Sequence, residues 1–262
     1  MTATLHGQTA LITGASSGIG KELAISLGRA GVNLVITARR QAELDDVAEQ
    51  LRANSAITVE VIAHDLSQPG ASAELLKEVA KRKLEVDILV NNAGFGTNNR
   101  VVNESRERVQ EEITLNIAAL TDLTIGLLPA MIQRDRGAVI NVASTASFQP
   151  VPGMAVYAAT KAYVRSFTEA LWGELEKSNV RAFAVSPGAT ATSFFDVAGA
   201  SPSSALAPVS DVVTVVMSAL TDPKPGPSKI VGTRNRVMAR LTQILPKKTV
   251  INVAGKMFLP KD

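Results

Sequence analysis

The chain has 262 residues, 46% of them apolar and 19% charged, with a formal net charge of +3. That length suits one large α/β domain or two small ones with a sizeable core. Cysteine is absent and the only histidines are His6 and His64, which excludes a disulfide frame, a thiolate nucleophile and a Cys- or His-rich metal site. No metal is expected, the mild basic excess implies no nucleic acid, and a reducing cytoplasmic setting fits.

The N-terminal MTATLHGQTALITG lacks the basic start and long apolar stretch of a secretory signal, and reads as a first strand. Short apolar, β-branched runs recur at Thr9–Thr13, Asn33–Thr37, Thr58–Ala63, Asp87–Asn91, Ala138–Ala143, Arg181–Ser186 and Lys229–Gly232. Between them, helical spacing marks Lys21–Ala30, Gln41–Asn54, Ala71–Arg82, Glu104–Arg134 and Tyr157–Ser178. Strands apolar on both faces and alternating with helices predict an α/β fold: a doubly wound parallel sheet of about seven strands with helices on both sides, the Rossmann arrangement.

No linker, repeat or composition shift divides residues 1–262, which read as one domain. The most apolar long stretch, Ile113–Ile132, contains Asn116 and Asp122, costly in lipid but ordinary in a buried helix, so no membrane span is expected. At about residues 190–210, Phe194, Phe195 and Val197 stand among small residues and prolines, which predicts a substrate loop able to close over a ligand. The tail, residues 233–262, alternates Arg234, Arg236, Arg240, Lys247, Lys248, Lys256 and Lys261 with Val237, Leu241, Ile244, Leu245, Val250, Ile251, Val253, Met257, Phe258 and Leu259. It is either a solvated helix packed on the domain or an element for a membrane surface, an acyl carrier or another partner.

The stretch TGASSGIG, Thr13 to Gly20, follows the first strand at the point where a helix begins. In doubly wound sheets this turn binds phosphate, through the unpaired amides and the dipole of the helix N-terminus. Gly14 allows the tight turn, Gly18 lets backbone approach a pyrophosphate, and Gly20 lets the helix pack on the strand; Ser16, Ser17 and Ile19 complete the loop. A ligand-free Ser/Gly loop is the alternative. About twenty residues on, a carboxylate would accept from a ribose 2′-hydroxyl, whereas Arg accommodates a 2′-phosphate. Here the strand ends Thr37-Ala38-Arg39-Arg40, which favours NADP(H) with Arg39 as first contact and Arg40 or Ser17 assisting, unless both arginines merely cap a strand in solvent.

TGASSGIG resembles the cofactor loop of the short-chain dehydrogenase/reductase family, and further motifs follow in that family's order over residues 7–232. They are Asn91-Asn92-Ala93-Gly94, Asn116 in LNIAA, Ser144 in NVASTAS, Tyr157 with Lys161, and Pro187-Gly188 with Thr192. The resemblance implies a catalytic set of Asn116, Ser144, Tyr157 and Lys161. It also implies cofactor contacts at Asp65 and Leu66 for the adenine, Asn92, Ala93 and Gly94 beyond it, and Pro187, Gly188, Thr190 and Thr192 beside the nicotinamide. Each has a plainer reading: Asp65 as a helix N-terminal carboxylate ahead of Ser67, Ser144 as a strand-end turn residue with Ser147 as a spare, Asn116 as a satisfied polar group in a packed helix, and Pro187-Gly188 as a structural turn.

Lys161 lies one helical turn from Tyr157. An ammonium held ~4 Å from the phenol would favour phenolate and lower the Tyr157 pKa. In the reductive direction Tyr157 would donate a proton to a carbonyl oxygen that Ser144 hydrogen-bonds, Lys161 would tune Tyr157 and hold the nicotinamide ribose, and Asn116 would anchor a proton-relay water. The expected function is an NADPH-dependent oxidoreductase of a carbonyl or secondary alcohol, on a 3-oxoacyl, steroid or other lipid-like ketone. The competing readings are a non-catalytic NADP(H) sensor and an interaction module. The apolar helices at Ile113–Ile132 and Tyr157–Ser178 resemble those the family uses to form dimers and tetramers.

Overall fold

The computed structural model describes residues 5–200 and 205–259. Residues 201–204 of the expected substrate loop and 260–262 of the tail, Lys261 among them, lie outside the described residues. Seven parallel strands form one sheet: β1 (Thr9–Thr13), β2 (Asn33–Ala38), β3 (Val59–Ala63), β4 (Ile88–Asn91), β5 (Gly137–Val142), β6 (Val180–Ser186) and β7 (Ser228–Ile230). Their order is β3-β2-β1-β4-β5-β6-β7.

Successive residues of a strand face opposite sides, so a run that is apolar throughout needs a cover on each face. Ile12, Ile36 and Ile140 pack with Leu23 and Leu27 of α1 (Gly18–Arg29), Leu44 of α2 (Gln41–Asn54) and Val212 and Val216 of α8 (Val209–Thr221). Their neighbours Leu11, Val35 and Val139 face the other way. There they meet Leu75 of α3 (Ala71–Lys81), Leu123 and Met131 of α5 (Leu120–Gln133) and Leu171 of α6 (Ala155–Glu174). The chain runs outward from β1 to β3 and returns to β4 on the other side of β1, so the loops leaving β1 and β4 part in opposite directions. The crevice opened by that reversal is where doubly wound folds bind ligands.

Three local departures from the sequence reading bear on the site. The helix expected over Glu104–Arg134 is broken into α4 (Arg106–Ile113), a π-helical turn at Thr114–Ala119 and α5. Ser105 starts α4 by accepting the Arg108 N–H on its side chain. Second, the expected substrate loop contains a short helix, α7 (Phe194–Ala198), and is closed on itself by an isolated bridge between Thr190 and Ala207; α8 follows it. Third, the tail forms two helices, α9 (Thr233–Ile244) and α10 (Lys247–Phe258).

The stretch Arg106–Gln133 is long and apolar enough to cross a membrane by length and composition. In the fold, its Glu112, Asn116 and Thr124 are buried in the protein. Polar side chains also tie the sheet to its cover. Asn91 Nδ2 donates to Asn141 Oδ1 (2.9 Å) and Thr124 Oγ1 (3.1 Å), and Asn141 Nδ2 donates to Thr168 Oγ1 (2.9 Å). Asn141→Ala would take one acceptor from Asn91 Nδ2 and the donor that reaches Thr168 Oγ1, and should lower unfolding free energy in urea by about 1–3 kcal/mol. A loss under about 0.5 kcal/mol, typical of a surface change, would show that the chain of amides is dispensable.

Candidate active site

The carboxyl ends of β1 and β4 are joined by side-chain hydrogen bonds. Thr13 Oγ1 accepts the backbone N–H groups of Asn92 (3.0 Å) and Ala93 (2.9 Å), while Asn92 Nδ2 donates to Thr13 O (2.9 Å) and Gly14 O (3.3 Å). Gly14 turns the chain there with φ +67°. A Cβ on Gly20 would collide with Gly14 O and the Asn92 amide, so the start of α1 packs flush on the turn. Ser17, the N-cap of α1, supplies no side-chain cap, leaving first-turn amides open toward a cavity of about 720 Å³.

Gly14, Ser16, Ser17, Gly18 and Ile19 line one end of that cavity; Gly20 sits behind them. Arg39 and Arg40 flank it at the end of β2. Arg40 pairs with Glu43, whereas Arg39 is exposed and has no carboxylate partner among the described residues. Asp65 and Leu66 line the wall after β3. One Asp65 oxygen accepts from Ser67 N (3.1 Å) and Ser67 Oγ (2.7 Å) in a turn well ahead of α3, so it is a turn carboxylate and not the helix N-terminal one of its plainer reading, and the residue lines the cavity. Asn92, Ala93 and Gly94 form the floor, and both donors of the Asn92 amide are spent on the glycine loop. Open amides, a free guanidinium and small backbone walls fit the phosphates of a dinucleotide.

The far end of the cavity holds Ser144, Tyr157 and Lys161. Ser144 lies two residues past β5 and caps the 3-10 turn Thr145–Phe148, its Oγ accepting Ala146 N (3.1 Å), and the Thr145 N–H reaches Pro187 O (2.9 Å) beyond β6. Ser147, the spare, is buried away from the cavity lining. Tyr157 (8% exposed) and Lys161 (5%) lie on consecutive turns of α6. Pro187, Gly188, Thr190 and Thr192 line the adjacent wall, with Thr190 Oγ1 donating to Gly188 O (3.0 Å).

The electrostatics differ from the sequence expectation. Lys161 Nζ donates to Val142 O at 2.8 Å and lies 5.9 Å from the centre of the Tyr157 ring. Burial pushes the Tyr157 phenol up to about 12, against a lowering by the Ser144 hydroxyl and with a further push from Glu112. The direction is opposite to the expected fall: desolvation of the would-be phenolate dominates, and the hydroxyl of Ser144, not the lysine, is what opposes it. Burial also brings Lys161 down to about 8, and the Glu112 charge opposes that fall.

Asn116 sits in the π-helical turn, off the cavity lining. Its Nδ2 donates to Phe95 O (2.9 Å) and Thr160 Oγ1 (3.0 Å), and its Oδ1 accepts Phe95 N (3.2 Å). The side chain thus clamps the segment after β4 to α6 beside Lys161 and faces no solvent.

Two features went unseen in the sequence. Glu112 reads there as half of a surface pair, Glu111-Glu112, but it is 0% exposed. Thr97 Oγ1 donates to its Oε2 (2.8 Å), and its Oε1 is buried without a partner. The tail supplies the other: Asn235, Met238 and Thr242 of α9 and Val253, Met257 and Phe258 of α10 line the cavity. Thr242 Oγ1 donates to Phe148 O (3.3 Å) and Asn98 Nδ2 to Phe258 O (2.9 Å). Phe194 of α7 stacks obliquely on Tyr157, with ring centres 5.0 Å apart.

Residues 8–201 match the family described as short chain dehydrogenase. The chain belongs to that family. It is an oxidoreductase of this class and shares 33% identity over 193 residues with an NADP-dependent 3-hydroxy acid dehydrogenase of Schizosaccharomyces pombe, covering 72% of this chain and 74% of that one. A short-chain dehydrogenase from Sphingobium yanoikuyae, solved in complex with NADPH, superposes with a TM-score of 0.82 at 34% identity, over 90% of this chain and 92% of that one. A 7beta-hydroxysteroid dehydrogenase superposes with a TM-score of 0.86 at 25% identity, over 97% of this chain and 100% of its own.

Among these features Glu112 makes a measurable prediction of its own. Burial raises its carboxyl from the ordinary 4.5 to about 7, so the folded state holds a proton that the unfolded chain releases, and stability falls as pH rises through that interval. Glu112→Gln should match wild type near ~pH 5 and exceed it by on the order of 2 kcal/mol at ~pH 8 in urea melts. A difference that does not change with pH would rule out a buried, protonated carboxyl.

Proposed function

We propose that the protein is an NADPH-dependent carbonyl reductase acting on an apolar ketone, of the 3-oxoacyl, steroid or other lipid-like kind. One observation carries the reading: Ser144, Tyr157 and Lys161 open into the same cavity as the α1 amides and Arg39, which has no carboxylate partner among the described residues, and Val151, Met154, Phe194, Phe195 and Met257 add an apolar stretch to its wall. A bound reduced nicotinamide supplies the hydride. Tyr157, a neutral phenol whose pKa burial pushes further up, arrives with the proton that the carbonyl oxygen must gain. The Ser144 hydroxyl donates a hydrogen bond to that oxygen as charge builds. Lys161, buried alongside, compensates the phenolate left behind, and the Asn116 clamp holds the helix turn that carries Lys161 in place.

Arg39 supports NADPH over NADH, since a guanidinium without a carboxylate partner suits a 2′-phosphate. The NADPH complex of the Sphingobium relative and the NADP dependence named for the fission-yeast one support the same choice. The hydroxysteroid dehydrogenase, similar through the tail region as well, supports a bulky apolar substrate. We further propose a cytoplasmic enzyme that self-associates through the α5–α6 face, where Ile125, Tyr163 and Trp172 are exposed.

NADPH oxidation across ketones, 3-oxoacyl thioesters, steroids and sugars tests the reading. Tyr157→Phe should lower kcat/KM on the best substrate by ~10²–10⁴-fold at unchanged melting temperature. Equal activity in the two proteins would remove Tyr157 from the chemistry. Arg39→Asp should raise KM for NADPH about ten- to a hundredfold while leaving turnover with NADH intact, the size of one charged hydrogen-bonded contact; an unchanged KM for NADPH would reassign the 2′-phosphate site.

A further inference from the structure

The α9–α10 pair presents a surface unlike the rest of the molecule. Val237, Leu241, Ile244, Leu245, Val253 and Met257 are all exposed there, Ile244 at 80%. Contiguous apolar exposure of this kind marks a docking face, whereas scattered exposed side chains do not. The segment from Thr233 to Leu259 carries six Lys or Arg and no Asp or Glu, against +3 for the whole chain, so the remainder is net acidic. The corner between the helices joins both characters, with Ile244 and Leu245 beside the exposed Lys247 and Lys248. Only Ala239, Val250 and Ala254 of the pair are buried.

We propose that this face docks on an anionic lipid bilayer and that the cavity takes its substrate from there. The proposal rests on the apolar-ketone reading above. Met238, Val253 and Met257 are at once exposed and part of the cavity lining, so the docking face and the substrate's entrance are continuous. Amphipathic helices with cations around an apolar stripe lie flat in the headgroup region. Each Lys or Arg brought to such a surface is worth roughly a fivefold gain in partitioning. A second copy docked symmetrically on the same face would set one cationic patch against another, which opposes that occupant.

Co-sedimentation of the full-length protein with phosphatidylcholine vesicles, with and without phosphatidylglycerol, is the test. Wild type should pellet with the anionic vesicles, release as salt rises, and bind neutral ones weakly. Ile244→Glu and the double variant Lys247→Glu/Lys248→Glu should each cut the bound fraction at least tenfold. Both should reduce a small water-soluble ketone at the wild-type rate but lose rate on a ketone dissolved in the anionic vesicles. Absence of binding, or equal salt-insensitive binding to both vesicle types, overturns the proposal. A fall in oligomeric size with Ile244→Glu on gel filtration would assign the face to a second copy instead. If wild type binds anionic vesicles yet reduces no ketone, the docking face stands and the reductase reading fails.

Discussion

A short row of polar contacts across the seam between β1 and β4 is the constraint on which the site depends. The Thr13 hydroxyl takes two backbone N–H groups from the β4 side, and the Asn92 amide returns two hydrogen bonds to the β1 side. The seam lies where the sheet order reverses, and there the two loops would otherwise diverge. Stitched together, they hold Gly14 in its left-handed turn and bring Gly20 against it, which aims the start of α1 into the cavity. On the other side of the seam, Asn116 performs a similar service for Phe95 and Thr160. The walls of the pocket are therefore fixed by side-chain hydrogen bonds between segments far apart in the chain, partly buried at the seam and fully buried at Asn116.

Desolvation dominates the electrostatics behind those walls. Tyr157, Lys161 and Glu112 all shift toward their neutral forms, and burial is the largest cause for each. The lysine spends its ammonium on the Val142 carbonyl. A helical spacing of four residues places two side chains on one face, but it says nothing about which acceptor the longer one will find. Glu112 sits close enough to influence both partners, so the charge of this small group is shared among three residues rather than two.

Much of this was legible in the chain itself. β-branched runs apolar on both faces and alternating with helices point to parallel strands, and glycines at the first strand–helix junction mark a phosphate turn; both follow from local rules. What escaped the sequence depends on long-range packing. Glu112 looks like solvated surface beside Glu111, and only the approach of Thr97 and α6 buries it. The π-helical turn left no periodic trace in TLNIAA, since one extra residue per turn hardly disturbs an apolar pattern. In the tail, basic and apolar residues dominate the composition and hide a sparse inward stripe of Asn235, Ala239 and Thr242 at helical spacing.

That stripe separates two kinds of information along the polypeptide. The glycine turn, Ser144, Tyr157 and Lys161 all fall within the portion shared with the family, residues 8–201, whereas α9 and α10 lie beyond it and contribute a wall of the same chamber. Reactivity and shape are thus written in different stretches of the gene product. Divergence confined to the last thirty or so codons would remould what the chamber admits and leave the acid that works inside it untouched.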